Sequence, residues 1–486
     1  MIFISGGGTF LSMNSPRVSR PGAYINFVSV PRPMIFVGDR GTSTGLVDLP
    51  WYRPDEAVLV SGMDFLSGAG LKHIGLTAFD EGRNVDHIGL LLSGCVDTWL
   101  MSANTGGTKA TANIQLIGGT LHAEAQKYGS FGNDILLSIA ALPALPGAPI
   151  QYQLITMIQG HEGSNIPRMT QTHSEPTEIR NNDFVVFTLI PDDPAIPVQF
   201  DEIAGVPLTG GSDGTVNLTT RIPAYLRRIK TKNWQCMGWH HPDESHKQLI
   251  QQFIMRCRDE NGLYVQVSMA TSHANHEGVN NLHLGHGDAT NTTTGMRFTI
   301  DEVALMHASM TAGADIITSN TNTPLPMPLE FDYEFDNQEI IDGLAKGLVM
   351  FTRRRNGIIK IEQDINSLHT FTPRKNREFR KNNILRKLDE IGTTIRSTWE
   401  NFFMGNEIND DIGRALYVVQ VDTYFTEMQT LRAIVNHSIE NLNARQGDEP
   451  DAVVMHAIVQ PTDAMERLFL TVHVSTGVYF VSEVAA

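Results

Sequence analysis

Apolar and polar positions change period several times along the chain, most clearly between residues 348 and 402. Residues 348–352 form a short apolar run, broken by Arg353-Arg354-Arg355-Asn356-Gly357. The pattern resumes over 358–365, where Ile359, Ile361 and Gln363 alternate with Ile358, Lys360 and Glu362. Two β-rich runs joined by a turn ending in Asn-Gly predict a hairpin, because Asn and Gly tolerate the positive φ such a turn needs. Beyond Pro373, Ile384, Leu388, Ile391, Ile395, Trp399 and Phe402 recur at spacings of four and three, which places them on one face of a long helix. A hairpin feeding an amphipathic helix is a packed α+β unit.

The rest of the chain divides by the same criterion. Residues 1–32 read as an arm, since Gly6 to Gly8 and the polar run 12–20 cannot form a core. Within it, 23–30 is a lone β-prone segment whose N–H and C=O groups need a ladder from elsewhere. Residues 33–96 mix short apolar runs (57–60, 88–92) with Gly-rich breaks and open an α/β core. Residues 97–200 are β-rich, with strands expected at 97–102, 112–117, 121–126, 135–141, 151–158 and 184–189. Gly, Pro and Asn separate them at hairpin-like intervals, as in an inserted β-sandwich or barrel domain.

The α/β pattern returns over 201–345, with helices at 225–230 and 245–258 and a strand at 263–269. A Pro/Thr/Asn linker at 319–328 leads to the C-terminal α+β unit, 346–465. In the last segment, 466–486, residues 468–474 alternate, Ser475-Thr476-Gly477 turns and 478–484 is again β-prone. Such an end forms either a terminal hairpin of its own or a strand added to another chain's sheet. The fold class expected is an α+β multidomain chain: an α/β core, an inserted β domain, a C-terminal α+β domain and extended arms at both ends.

Composition narrows the class. The 486 residues allow roughly three domains of ordinary size, and 41% hydrophobic with 19% charged residues describes a globular chain. No apolar run approaches the roughly 18 residues of a membrane helix, and MIFISGGGTF has no basic n-region of a signal peptide. Cys95, Cys236 and Cys257 show no paired spacing, so neither a disulfide framework nor a cysteine zinc site is indicated, which suits a reducing cytoplasm. A net charge of -16 argues against direct nucleic-acid binding. Within that acidic whole, Arg374, Lys375, Arg377, Arg380, Lys381, Arg386 and Lys387 form a basic run. It reads as a solvated helix face or as a contact with an acidic neighbour.

Candidate chemistry is sparse. His240, His241 and His246 lie in one stretch, and His273, His276, His283 and His286 in another. His276-Glu277 opens like a zinc-protease helix, but Asn280 stands where the second ligand belongs, so these read as surface-loop histidines. Gly210-Gly211-Ser212-Asp213-Gly214 matches Gly-x-Ser-x-Gly, yet Pro207 interrupts the approach and 215–220 is polar and β-prone. A tight loop fits better than a nucleophile elbow. Glu362 and Asp364 share a strand face and read as solvated. No catalytic, cofactor or metal residues are assigned. An α/β hydrolase or metal-dependent enzyme using Ser212 or the histidine-rich loops stays open as the alternative.

Several segments carry a family resemblance. Phe351-Thr352-Arg353-Arg354, Glu362-Gln363-Asp364-Ile365-Asn366-Ser367-Leu368 and Phe371-Thr372-Pro373 resemble the C-terminal region of contractile phage tail sheath proteins, nearest to those of Gram-positive myophages and phage-derived tails. The likeness continues in Phe379-Arg380-Lys381-Asn382, in Gln460-Pro461-Thr462-Asp463 and, near the front, in Pro21-Gly22-Ala23-Tyr24-Ile25-Asn26-Phe27-Val28. It extends through Lys127-Tyr128-Gly129, Gly132-Asn133-Asp134-Ile135 and 208–214, in family order over nearly the whole chain.

The resemblance implies a non-catalytic, subtilisin-like core over 33–96 and 201–345, an outward β insertion and a tube-facing domain at 346–465. It implies a homo-oligomer, a helical stack of hexameric rings around a tail tube protein, meeting baseplate and tail terminator proteins, with no cofactor and no membrane insertion. Contraction would drive the tube through a target envelope. Such a particle is a virion tail or a phage-tail-like device assembled in the bacterial host cytoplasm. Strand donation would use Tyr24, Ile25, Phe27 and Val28 at one end and Val478, Tyr479, Phe480 and Val481 at the other. Arg374, Lys375, Arg380, Lys381 and Arg386 are candidate tube or neighbour contacts.

Overall fold

Seven short strands carry the core: β1 (Thr42–Val47), β2 (Val58–Ser61), β3 (Asp97–Ser102), β4 (Cys236–Gly238), β5 (Gln266–Ala270), β6 (Val279–Leu282) and β7 (Leu348–Val349). They lie in one sheet in the order β7-β6-β5-β4-β1-β3-β2. Every pairing is parallel except β2 against β3. The computed structural model describes residues 3–4, 9–10, 41–49, 55–67, 83–143, 150–159, 165–270, 273–285, 287–373 and 375–472.

A parallel sheet needs both faces covered, so its strands read as continuous buried runs. β4, β5 and β6 are buried at every position. The covering helices are α1 (Gly62–Ser67), α2 (Arg83–Leu92), α3 (Leu218–Ile229), α4 (Glu244–Asp259) and α5 (Ile300–Gly313). Alternation along β1 and β3 sends Val47 and Leu100 to the face under α2 and α5, with Ile88, Leu91, Val303 and Leu305. It sends Leu46 and Met101 to the opposite face, with Tyr225, Ile229, Ile250 and Phe253 of α3 and α4. α5 starts at a capping box, Thr299 and Glu302 each accepting the other's backbone N–H.

Between β3 and α3 the chain builds a β unit of two sheets. Strands Thr111–Leu116, Gly119–Ala125 and Val185–Pro191 form one, and Ile135–Ala141, Tyr152–Gln159, Asn165–His173 and Ile203–Pro207 the other. Ile114, Leu121 and Val185 from one sheet pack with Leu137, Ile139 and Leu154 from the other, a sandwich core. Two expectations are corrected. Residues 97–102 belong to the core sheet, as β3, and the β unit closes only at Thr215–Val216, which pairs with Asn104–Thr105. A buried parallel strand running straight into a β unit shows no break in period, so the border is invisible locally.

The expected hairpin forms. Phe351–Arg353 pairs with Ile359–Ile361, and Gly357 turns at φ 80°. The preceding residues, β7, instead complete the core sheet. After α6 (Asn337–Ala345), the hairpin and its connector comes α7 (Asn382–Thr398), extended by a wide turn through Phe403. Ile384 and Ile391 are buried on it, whereas Phe402 is exposed.

By compactness the chain divides into 1–404 and 405–486, so the border does not coincide with the expected one at 346. The second unit holds α8 (Asp411–Thr430) and two small antiparallel pairs, Ile434–Val435 with Gln460–Pro461 and Leu442–Gln446 with Val453–Ala457. Tyr417, Val421, Phe425 and Met428 form the buried stripe of α8 at helical spacing. No strand is present over 462–472, against the expectation for 468–474. Residues 473 and 474 of that run lie outside the described residues, and an alternating run forms a strand only where a partner supplies its ladder.

Candidate functional site

The segment 363–368, within one of the stretches that carry the family resemblance, is neither a solvated strand face nor a catalytic loop. Asp364, Ile365, Asn366 and Ser367 are all buried. The Asp364 carboxylate accepts from Asn320 N–H at 2.9 Å, from Arg386 Nη2 at 3.0 Å and from Asn382 Nδ2 at 3.0 Å. Asn382, at the start of α7, also donates to Asn280 Oδ1 of β6 at 3.1 Å and accepts from Gln266 Nε2 of β5 at 3.0 Å. Ser367 N–H donates to Val279 O at 2.8 Å, and its hydroxyl to His276 O at 3.0 Å. One polar knot therefore ties hairpin, linker, sheet and helix together. Buried polar groups are tolerated when each finds a partner, and the low local dielectric then strengthens them jointly. Burial alone would raise the Asp364 carboxyl. Arg386 and the Asn320 and Asn382 donors outweigh it and hold the group below its ordinary value.

Much of the basic run is engaged by the same architecture, while Arg377 is exposed. Arg374 lies outside the described residues. Lys375 Nζ bridges Asp259 at 2.9 Å and Glu277 at 2.7 Å. Arg380 donates to Leu344 O, and the backbone of Lys381 bridges to Ile365. Arg386 adds a 2.6 Å bond to Thr318 O, and Lys387 is fully buried, donating to Asn383. Nearby, Arg258 grips Asp389 with two bonds of 2.9 and 2.6 Å, tying α4 to α7. Lys375, Arg380, Arg386 and Lys387 thus serve intramolecular contacts, which a solvated helix face would not require.

The histidines also depart from expectation. His240, His241 and His276 are buried rather than on surface loops. His240 and His241 follow β4 at its carboxyl end, ring to ring at 4.0 Å, with His87 of α2 at 4.3 Å from His240. Burial, then the neighbouring His241 and His87, pushes His240 well below the ordinary imidazole value. Burial also lowers His241. His276 accepts Gly278 N–H at Nδ1 (3.0 Å), so its Nε2 carries the proton that faces Asp259 at 3.2 Å.

Ser212 is exposed in a loop joining two strands, its hydroxyl accepting Gly214 N–H at 3.3 Å. The Asp213 carboxylate is turned to Ser130. This is a tight β connector and not a strand-to-helix elbow.

Sequence reasoning missed α8, whose run Leu416-Tyr417-Val418-Val419-Gln420-Val421 is β-prone, although its four-residue spacing was available. It also missed the polar knot, since no local pattern marks it. Beyond Pro461 the chain exposes a run of apolar side chains: Met465 is 104% exposed, Leu468 85%, Phe469 91%, Leu470 73% and Val472 70%. The strand-donating residues Tyr24, Ile25, Phe27, Val28, Val478, Tyr479, Phe480 and Val481 lie outside the described residues.

Comparison with known proteins gives this architecture a family. The phage tail sheath protein central domain matches residues 220–367, and the phage tail sheath C-terminal domain matches 374–475. The phage-like element PBSX protein XkdK of Bacillus subtilis is 26% identical, covering 96% of this chain and 100% of the relative. The crystal structure of a sheath tail protein from Desulfitobacterium hafniense superposes with a TM-score of 0.70 at 26% identity, covering 91% of this chain and 97% of that one. One from Listeria innocua gives 0.74 at 21% identity, covering 92% and 97%. With two sheath domains matched in order over about half of its length, and the sheath architecture shared over nine-tenths of it, this chain belongs to the phage tail sheath family, as a structural protein.

Proposed function

We propose that this protein is the repeating subunit of a contractile tail sheath, polymerised helically as stacked hexameric rings around an inner tail tube. The extended polymer stores a metastable packing, and contraction drives the tube through the target cell envelope. Residues 346–465 face the tube, and the inserted β domain lies on the outer surface. Baseplate and tail terminator proteins meet the two ends, and the particle assembles in the host cytoplasm. No catalytic step is assigned.

The observation that carries this reading is the exposure of the apolar side chains Met465, Leu468, Phe469, Leu470 and Val472 on a stretch that forms no strand. Each such side chain gains about 1.5–3 kcal/mol when fully buried. A run of this kind is driven to add itself as a strand to a neighbouring copy. Different patches meeting on successive copies generate rings or open helices. Strand exchange through 1–32 and 466–486 would keep subunits joined while their bodies rotate and slide into a second packing.

The test compares the full chain with a chain ending at Asp463 by negative-stain electron microscopy, with purified tail tube as template. The full chain should form sheath, and the shortened chain should stay a folded monomer by circular dichroism and sedimentation. Normal sheath from the shortened chain overturns the donated-strand reading.

A further inference from the structure

We propose that Asp48, His240 and His241 form a binding site for one divalent transition-metal ion of the zinc type, at the carboxyl edge of the core sheet.

The topology puts the site where an open α/β sheet leaves a crevice. From β1 the chain builds outward through β3 and β2, and from β4 it builds the other way through β5, β6 and β7. The order therefore reverses between β1 and β4. Crevices beyond the carboxyl ends of strands at such a reversal are the usual ligand positions in sheets of this class. Gly45 of β1 is level with Gly238 of β4. Asp48 stands three residues past the first, and His240 and His241 two and three past the second. Two parallel neighbours thus deliver three donors to one spot.

The side chains agree with the backbone. One ligand atom from each of Asp48, His240 and His241 lies within 4.8 Å of the others. Donors on a tetrahedral zinc stand about 3.3–3.6 Å apart, from bond lengths of about 2.0–2.2 Å, so a small inward movement completes the set. Asp48 Oδ1 and His240 Nδ1 are buried without a hydrogen-bond partner among the described residues, although His240 is only 8% exposed. Leaving such groups unsatisfied is costly unless something else takes the lone pair. His241 Nε2 lies 3.2 Å from Leu46 O. A carbonyl only accepts, so Nε2 carries the hydrogen and Nδ1 keeps its lone pair, the orienting contact typical of metal-bound imidazoles. Next to the trio, His87 is held by Glu302 at 2.8 Å.

Two imidazoles and one carboxylate are borderline donors suited to zinc, with a fourth position left for water. A second trio, Asp259, His276 and Glu277, shows the contrast. The Lys375 ammonium already bridges both of its carboxylates, and His276 Nδ1 already accepts Gly278 N–H. That cluster holds its cation as a side chain. Among the described residues no lysine or arginine forms an ion pair with Asp48.

The test uses the full chain, stripped with chelator and dialysed. Zinc is added by isothermal titration, and cobalt(II) is added separately with visible absorption recorded. One equivalent of zinc should bind, and cobalt should develop the intense bands of a four-coordinate site. The variants Asp48→Asn and His240→Asn should each weaken zinc binding at least tenfold, whereas Glu277→Gln should leave it unchanged. Because cobalt is read on the natural protein, a variant that fails to fold does not decide the matter. No stoichiometric zinc on the natural chain, or undiminished binding in both Asp48→Asn and His240→Asn, overturns the proposal.

Discussion

Replacing Asp364 with alanine removes the acceptor on which three elements converge. Asn320 N–H, the Asn382 amide and the Arg386 guanidinium all end on this one carboxylate. The Asp364 side chain is fully buried and that of Arg386 is 11% exposed. Among the described residues Arg386 Nε and Nη1 have no hydrogen-bond partner, so after the substitution the guanidinium keeps only Thr318 O there. Breaking a buried pair from one side costs about 3–5 kcal/mol, because the charge left behind is neither solvated nor matched. Removing both ends costs far less. Asp364→Ala should therefore destabilise the first compact unit by about 3–5 kcal/mol, and Asp364→Ala with Arg386→Met should recover most of that loss. The assay is urea unfolding followed by tryptophan fluorescence, comparing midpoints at constant slope. A loss below about 1 kcal/mol for the single variant, or strictly additive losses in the double variant, refutes the idea of a charge-centred knot. The same geometry changes what a charge reversal at Arg386 means: it places a carboxylate against Asp364 and disrupts the fold before any neighbour is involved.

Two further outcomes follow from buried and strained positions. His307 is fully buried beside Ser268 and pushed down to about 4 by burial. Its folded value lies below the unfolded one, so the unfolded chain binds more protons between about pH 6.5 and 4. Stability should fall as pH drops through that window, by about 3 kcal/mol from this group, and His307→Asn should flatten this part of the pH profile of the urea midpoint. Gly357→Ala meets nothing within 4 Å, yet its φ of 80° is left-handed, so a loss of about 1–2 kcal/mol in thermal unfolding should come from backbone strain alone.

Local periodicity was enough to place the hairpin turn at Asn356-Gly357, the helix face of Ile384 and Ile391, and the change from α/β to β-rich chain and back. These features depend on residues a few positions apart, and backbone geometry alone makes 2.0- and 3.6-residue repeats readable. The α8 helix shows where local reading fails: its Tyr, Val and Phe content favours strand, and burial of Tyr417, Val421, Phe425 and Met428 overrides that preference.

Other features had no local signature at all. Asp97–Ser102 joins the core sheet because β1 lies beside it. Lys375 and Arg386 turn inward because Glu277 and Asp364, distant in sequence or across a turn, wait there as carboxylates. His240 is buried against His87 of α2, and His241 against Trp239 and the Leu46 carbonyl of the neighbouring strand β1; His87 and Leu46 are both far from them in sequence. Sequence determined which segments had faces to bury and which turns they could make. Only the tertiary structure decided which charges met, because burial and pairing depend on groups brought together from tens to hundreds of residues apart.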